Sequence, residues 1–308
     1  MSSVAAPPQA GGKHQKKKQN DKPASLWSDA WYDLRRKPAF LIAAGLIAIL
    51  LVMAIWPTLF TSIDPTDART CDLASARQLP SSGHPFGRDN LGCDVFANTI
   101  YAARYSILIG FSATVAVAVI GGLLGMIAAY YSGVTDTVFS RITEIFFAIP
   151  GLLGALLIAS TFRESGVNSI VLVILALSVL GWPMTFRIMR AAVITAKHQD
   201  FVVAAKALGA GPSRVMFRHL LPNAIAPVIV VATINLGGFI AAEAALSFLG
   251  VGVQSPDVSW GLMIADARSR FIDAPLPLIF PAVFLSITVL AFIMLGDAVR
   301  DALDPKLR

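Results

Sequence analysis

Residues 106–131 read SILIGFSATVAVAVIGGLLGMIAAYY, 26 positions without Asp, Glu, Lys, Arg or His. A helix rises about 1.5 Å per residue, so crossing a hydrocarbon core about 30 Å thick takes about 20 apolar residues bonded within their own segment. This stretch meets that requirement, and five others come close to it or match it. Residues 40–60, 167–186 and 275–296 carry no charge, and 224–250 hold only Glu243. Residues 145–162 are slightly short and extend toward Val138 only across Glu144 and Arg141. Of the whole chain, 56% is hydrophobic and 14% charged, against roughly 45–50% and 25% in soluble domains. The expected fold is therefore an all-α membrane protein of six transmembrane helices. A β-barrel is excluded, because barrel strands alternate polar and apolar residues over about ten positions. The first apolar block begins too far into the chain, and is too long, for a cleaved signal peptide.

Basic residues set the orientation. Eight Lys and Arg precede the first span, and alternating sides thereafter places 18 on the side of that tail and seven on the other. The positive-inside bias puts both termini in the cytoplasm. Residues 1–25 have few large apolar side chains and are expected to be a disordered basic tail. Beside a membrane anchor, the Lys run reads as a topogenic, solvated tail rather than a site for anionic lipid or nucleic acid. Residues 26–38 alternate Leu26, Trp27, Trp31, Tyr32 and Leu34 with charges, the pattern of a short amphipathic helix on the inner surface. The first span covers 39–60, an extracytoplasmic loop 61–104, and a five-helix core the rest, 105–308.

The loop holds both cysteines of the chain, Cys71 and Cys93, on the oxidising side. A disulfide is the expectation and two free thiols the alternative. With His84 as the one further candidate, a metal site is short of a ligand.

No P-loop, HExxH, GxSxG or Rossmann fingerprint occurs. No catalytic residue is assigned, no metal site is expected, and no cofactor is expected on this chain. Glu243 is the one ionisable group deep in a span, and an intramembrane carboxylate is costly enough to count as a candidate for the translocation pathway. The competing and favoured reading is a structural polar contact with a neighbouring helix or partner. Gly121, Gly122 and Gly125 form a GxxxG pattern that permits close helix approach.

The loop at 195–222, TAKHQDFVVAAKALGAGPSRVMFRHLLP, is the informative one. Ala204, Ala205, Lys206, Ala207 and Leu208 favour helix, residues 209–212 interrupt it, and Ser213 is placed to cap a second turn ending before Pro222. A short cytoplasmic helix showing Ala204, Ala205 and Leu208 on one face is suited to a groove on another protein.

At this point the sequence resembles a known family, the permease subunits of binding-protein-dependent ABC importers, in the second-permease type of their dipeptide, oligopeptide and nickel branch. The family's loop motif runs Glu-Ala-Ala, three residues, Gly, a spacer, then Leu-Pro. Here Val203, Ala204, Ala205, Gly209, Leu221 and Pro222 stand at that spacing, with Val203 in place of the Glu. The stretches HPFGRDNLGCDVF from His84, AEAALSFLGVGVQSPDVSWGLMIADAR from Ala242, GDAVRDALDPKLR from Gly296 and the LRRKPAF run entering the first span are also similar. Cys93 stands where many relatives carry Arg, so a bond to Cys71 is an added constraint rather than a family necessity.

The resemblance implies a type I ABC importer permease in the cell membrane, translocating di- or oligopeptides. It implies a second permease subunit, two ATP-binding subunits or domains that use ATP and Mg, and an extracytoplasmic substrate-binding protein. Residues 203–209 with Leu221 and Pro222 are then the ATPase-coupling residues. Nickel is the alternative cargo, disfavoured by the lack of a His or Met cluster along the spans. An ion-coupled secondary transporter is the alternative class, and it usually shows paired intramembrane charges and inverted repeats.

Overall fold

The computed structural model describes residues 31–65 and 67–303. The expected basic tail, the start of the amphipathic segment and the last five residues lie outside the described residues. Those described are helical apart from turns and two isolated bridges. In chain order the helices are α1 (Pro38–Ile55), α2 (Val95–Tyr131), α3 (Gly133–Ala148), α4 (Gly151–Thr161), α5 (Ser169–Ala196), α6 (Asp200–Ala207), α7 (Ala226–Phe248), α8 (Trp260–Ala267) and α9 (Leu276–Leu303).

Five of these, α1, α2, α5, α7 and α9, are long and apolar enough to cross a membrane unbroken. The segment expected as one continuous crossing at 145–162 falls instead in the pair α3 and α4, bent by 88° and counting as a sixth crossing when the pair is taken as one broken span. Pro150 is the cause: it disfavours helical backbone at the residue before it, and Ile149 is extended, with φ −88° and ψ 120°.

The start of α2 also departs from expectation. At 37 residues it is about 55 Å long, and it begins inside the stretch assigned to the loop 61–104. Asp94 caps it, its Oδ1 accepting the Ala97 N–H at 2.6 Å. Arg104, which looks like a loop residue in the sequence, turns back to donate to the carbonyls of Ala54 and Ile55 at 3.0 and 3.3 Å. That cation satisfies the free carbonyls at the end of α1.

The central contact is α2 against α5. A Cβ on Gly121 would lie 2.6 Å from the Trp182 carbonyl oxygen, and one on Gly125 would lie 2.5 Å from that of Phe186. The glycine pattern therefore serves an intramolecular helix crossing, with Gly122 set aside from it. Outward positions such as Ile42, Ile49, Leu153 and Leu157 remain exposed, as lipid-facing positions do when packing rather than water exclusion holds the helices. Of the amphipathic segment, residues 31–34 are helical. Leu34 packs on Ala298 and Ala302 of α9, and Lys37 Nζ lies 3.0 Å from Asp301.

Candidate functional site

The helix α6 is eight residues long, too short to be stable by propensity alone. Packing holds it. Val202 is fully buried, in one cluster with Val193 and Ala196 of α5, Met126 and Ala129 of α2, and Val215 and Leu220 beyond the turn, and Ala205 is buried beside it at 9% exposure.

This corrects the expected face of Ala204, Ala205 and Leu208. Positions 202 and 205, three apart, share the inward side, so Ala205 is an anchor. Phe201, Ala204 and Leu208, at i, i+3 and i+7, share the outward side. Val203, Lys206 and Ala207 are also exposed. Leu208, 88% exposed, is the tip.

The helix ends in a Schellman motif. The Ala210 N–H donates to the Ala205 carbonyl at 3.0 Å, and the Gly209 N–H to that of Lys206 at 2.9 Å. Gly209 has φ +83°, and a Cβ there would meet nothing within 4 Å. The requirement for glycine is therefore one of backbone conformation, not of space.

Beyond it, Pro212 rather than Ser213 opens the next turn. The chain then passes through a π-helical stretch, Val215–Leu220, and continues past Pro222 to Ala224. Pro222 does not end the helix as expected: it has no N–H to donate back, and the wider turn comes just before it. Leu221 is half-buried and Pro222 exposed.

Charged groups fasten this face to the long helices. Lys197 donates from Nζ to the Ala129 carbonyl at 2.8 Å and to Ser132 Oγ at 2.6 Å, at the end of α2. Arg190 of α5 forms a two-point pair with Asp136 of α3, with Nη2 2.6 Å from Oδ2. Lys206 Nζ lies 5.4 Å from the centre of the Tyr130 ring. The sequence reading missed Lys197, Arg190 and Phe201. Only Phe201 had a signal, its seven-residue spacing from Leu208.

Glu243 lies apart from this surface, 0% exposed. The hydroxyls of Ser247 and Ser106 donate to its two oxygens at 2.7 and 3.3 Å. Ser106 also accepts the Trp260 N–H at 3.2 Å, and Ser247 accepts that of Val253 at 3.0 Å. The carboxylate thus joins α2, α7 and the segment around α8.

On the face opposite α6, the loop before α2 folds into a cap. Cys71 and Cys93 are bonded. His84 Nδ1 lies 2.5 Å from Asp94 Oδ2, and Arg88 Nη2 lies 2.7 Å from His84 Nε2. The Arg88 guanidinium also donates to the Gly92 carbonyl at 2.8 Å.

These features define a multi-pass membrane protein with an anchored helix presented on one face and a cross-linked cap on the other. The chain belongs to the family described as the binding-protein-dependent transport system inner membrane component, which matches residues 121–308. The N-terminal TM domain of oligopeptide transport permease C matches residues 25–80.

Among relatives, it is 37% identical over 301 residues to the oligopeptide transport system permease protein OppC of Bacillus subtilis, covering 98% of this chain and 96% of that one. It is 36% identical to the dipeptide transport system permease protein DppC of Alkalihalophilus pseudofirmus, over 92% of this chain and 91% of the other. It is also 36% identical to the glutathione transport system permease protein GsiD of Escherichia coli, over 94% and 93%. In fold it is similar to a chain of the inward-facing MetNI methionine ABC transporter, with TM-score 0.54 and 22% identity, covering 67% of this chain and 96% of that one.

Proposed function

We propose that this chain is one of two membrane-spanning subunits of an ATP-driven importer of di- or oligopeptides. The α6 face is cytoplasmic and both termini lie on that side. Two ATP-binding subunits or domains, which hold the ATP and Mg, sit beneath it. A second permease completes the pathway, and an extracytoplasmic binding protein delivers peptide to the cap face.

The observation that carries this reading is the anchored display of Leu208. An apolar tip held outward by Val202 and Ala205 leaves apolar surface suited to a groove on another protein. Closure of the ATPases moves α6, and Lys197 and the buried cluster pass that motion to the ends of α2 and α5. Such coupling requires contact energy that differs between the open and closed states. Peptide cargo is supported by the relatives named above, which transport oligopeptides, dipeptides and glutathione.

The test is purification of this subunit in mild detergent, with mass spectrometry and an ATPase assay on what accompanies it. A second permease and P-loop ATPases, with hydrolysis stimulated by a peptide-loaded binding protein, are expected. A subunit that purifies alone and drives uptake into vesicles without ATP would overturn the reading.

A further inference from the structure

Between the cap and the segment leading into α8 lies a cavity of about 650 Å³, within the range of small-ligand sites, about 300–1,000 Å³. The cap and the start of α2 supply Asp89 and Asn98 to its wall, and the opposite side supplies Asp257, Leu262, Met263 and Asp266. Three carboxylates line it, and among the described residues no Lys, Arg or His does.

Asn98 is the informative wall residue. It is 9% exposed, and its side-chain amide is hydrogen-bonded to none of the described residues. Its amide lines the cavity and offers two donors and one acceptor to whatever enters. The carboxylates are also incompletely answered. Asp89 Oδ1 accepts the N–H groups of Leu91 and Cys93 at 2.8 and 2.9 Å, and Asp257 takes the Tyr105 hydroxyl. The Asp266 side chain is hydrogen-bonded to none of the described residues. Arg268, the cation that bears on Asp266, donates to the Phe248 carbonyl at 3.1 Å and lies over the Phe248 ring. Burial pushes the carboxyls of Asp89 and Asp266 up, and the charge of Asp89 adds to the rise at Asp266.

A cation with an apolar body answers all of this. No three His, Cys, Asp or Glu among the described residues are grouped to hold a metal ion, so the carboxylates are spread for an organic cation. We infer that the cavity receives the amino-terminal end of a short peptide. Asp89 and Asp266 take the ammonium, Asn98 pairs with the first peptide group, and Leu262 and Met263 cover the first side chain. The inference rests on the peptide-import reading and adds to it a site on this subunit, outside the spans.

The experiment uses the whole importer in nanodiscs, without binding protein, and measures binding of alanyl-phenylalanine and its N-acetyl form by equilibrium dialysis. The free dipeptide is expected to bind about tenfold more tightly than the acetylated one. Asp266→Asn is expected to remove that difference, and Asn98→Leu to weaken both forms. Recovery of each variant complex with its partners shows that it has folded. Equal binding of the two peptides, or an undiminished preference in Asp266→Asn, overturns the site. If the wild-type complex takes up peptide in proteoliposomes supplied with loaded binding protein and ATP but binds none in nanodiscs, the site falls and the import reading stands. If it neither binds peptide in nanodiscs nor takes it up in those proteoliposomes, both fall.

Discussion

The two polar connections of this molecule, the α6 loop and the cap, solve opposite problems. The cap is held by polar and covalent links: Asp94 caps α2 while holding His84, Arg88 bonds Gly92, and a disulfide closes a loop with a sequence separation of 22. The α6 loop does the reverse. It spends Val202 and Ala205 on anchoring and leaves Leu208, Val203 and Phe201 outward. A loop tied by its own polar and covalent links keeps its shape alone, whereas an apolar tip held outward on an anchored helix is placed for a partner. The same protein thus carries one loop fastened by polar and covalent links and one fastened by apolar packing.

The largest expected effect is at Gly209. Proline there has φ fixed near −65° and no N–H, so it is incompatible with φ +83° and with the bond to Lys206. The cost is about 3 kcal/mol or more, over a hundredfold in the population of the docked geometry. Gly209→Pro is expected to leave the protein inserted while ATP hydrolysis no longer responds to the loaded binding protein. Coupled uptake at the normal rate would falsify the docking assignment.

Next in size is the cap disulfide. Closing a loop of this length is worth about 3 kcal/mol in the unfolded ensemble, and the effect is confined to the cap. Cys71→Ser with Cys93→Ser should therefore raise protease cleavage within residues 71–93 strongly while ATPase co-purification stays intact. If the double variant also sheds its ATPases, the two faces are not independent and the contrast drawn above is wrong.

Leu208→Asp sharpens the comparison from the other side. Withdrawing a buried leucine costs about 1.5–3 kcal/mol, so ATPase retention should fall by about tenfold to a hundredfold, with cap proteolysis unchanged. Retention equal to wild type means that the tip is not buried by the partner.

The spans were legible because membrane crossing is a matter of apolar length, which a sequence displays directly. What a hydropathy count does not carry is direction. The Ile149-Pro150 step was in plain view, yet counting apolar residues cannot tell a straight crossing from one bent by 88°. The start of α2 was hidden because Arg104 looks solvated until its carbonyl partners on α1, some 50 residues away, are known. At α6, composition grouped Ala205 with Ala204 and Leu208, whereas burial pairs it with Val202, because small residues on a short helix do not show which of them meets the protein body. Glu243 was conspicuous as a cost, and its donor Ser106, 137 residues away, was beyond any local pattern.

The smallest expected effect tests how completely the cap satisfies itself. Burial raises the Asp89 carboxyl and outweighs the N–H groups of Cys93, Leu91 and Gly92 that favour its charged form. A carboxyl raised on folding binds its proton more tightly in the folded state, so its contribution is fully present below the unfolded value and is lost as pH rises through the folded one. The cap should therefore be cleaved somewhat more readily at neutral pH than in the acid range just above ordinary carboxylate titration. Asp89→Asn keeps a carbonyl for the same N–H donors and cannot ionise, so cleavage should lose that dependence on pH. A profile as steep in Asp89→Asn as in wild type would move the titration to another group, with Asp266 the next to replace, since its own rise comes from burial and from the charge of Asp89.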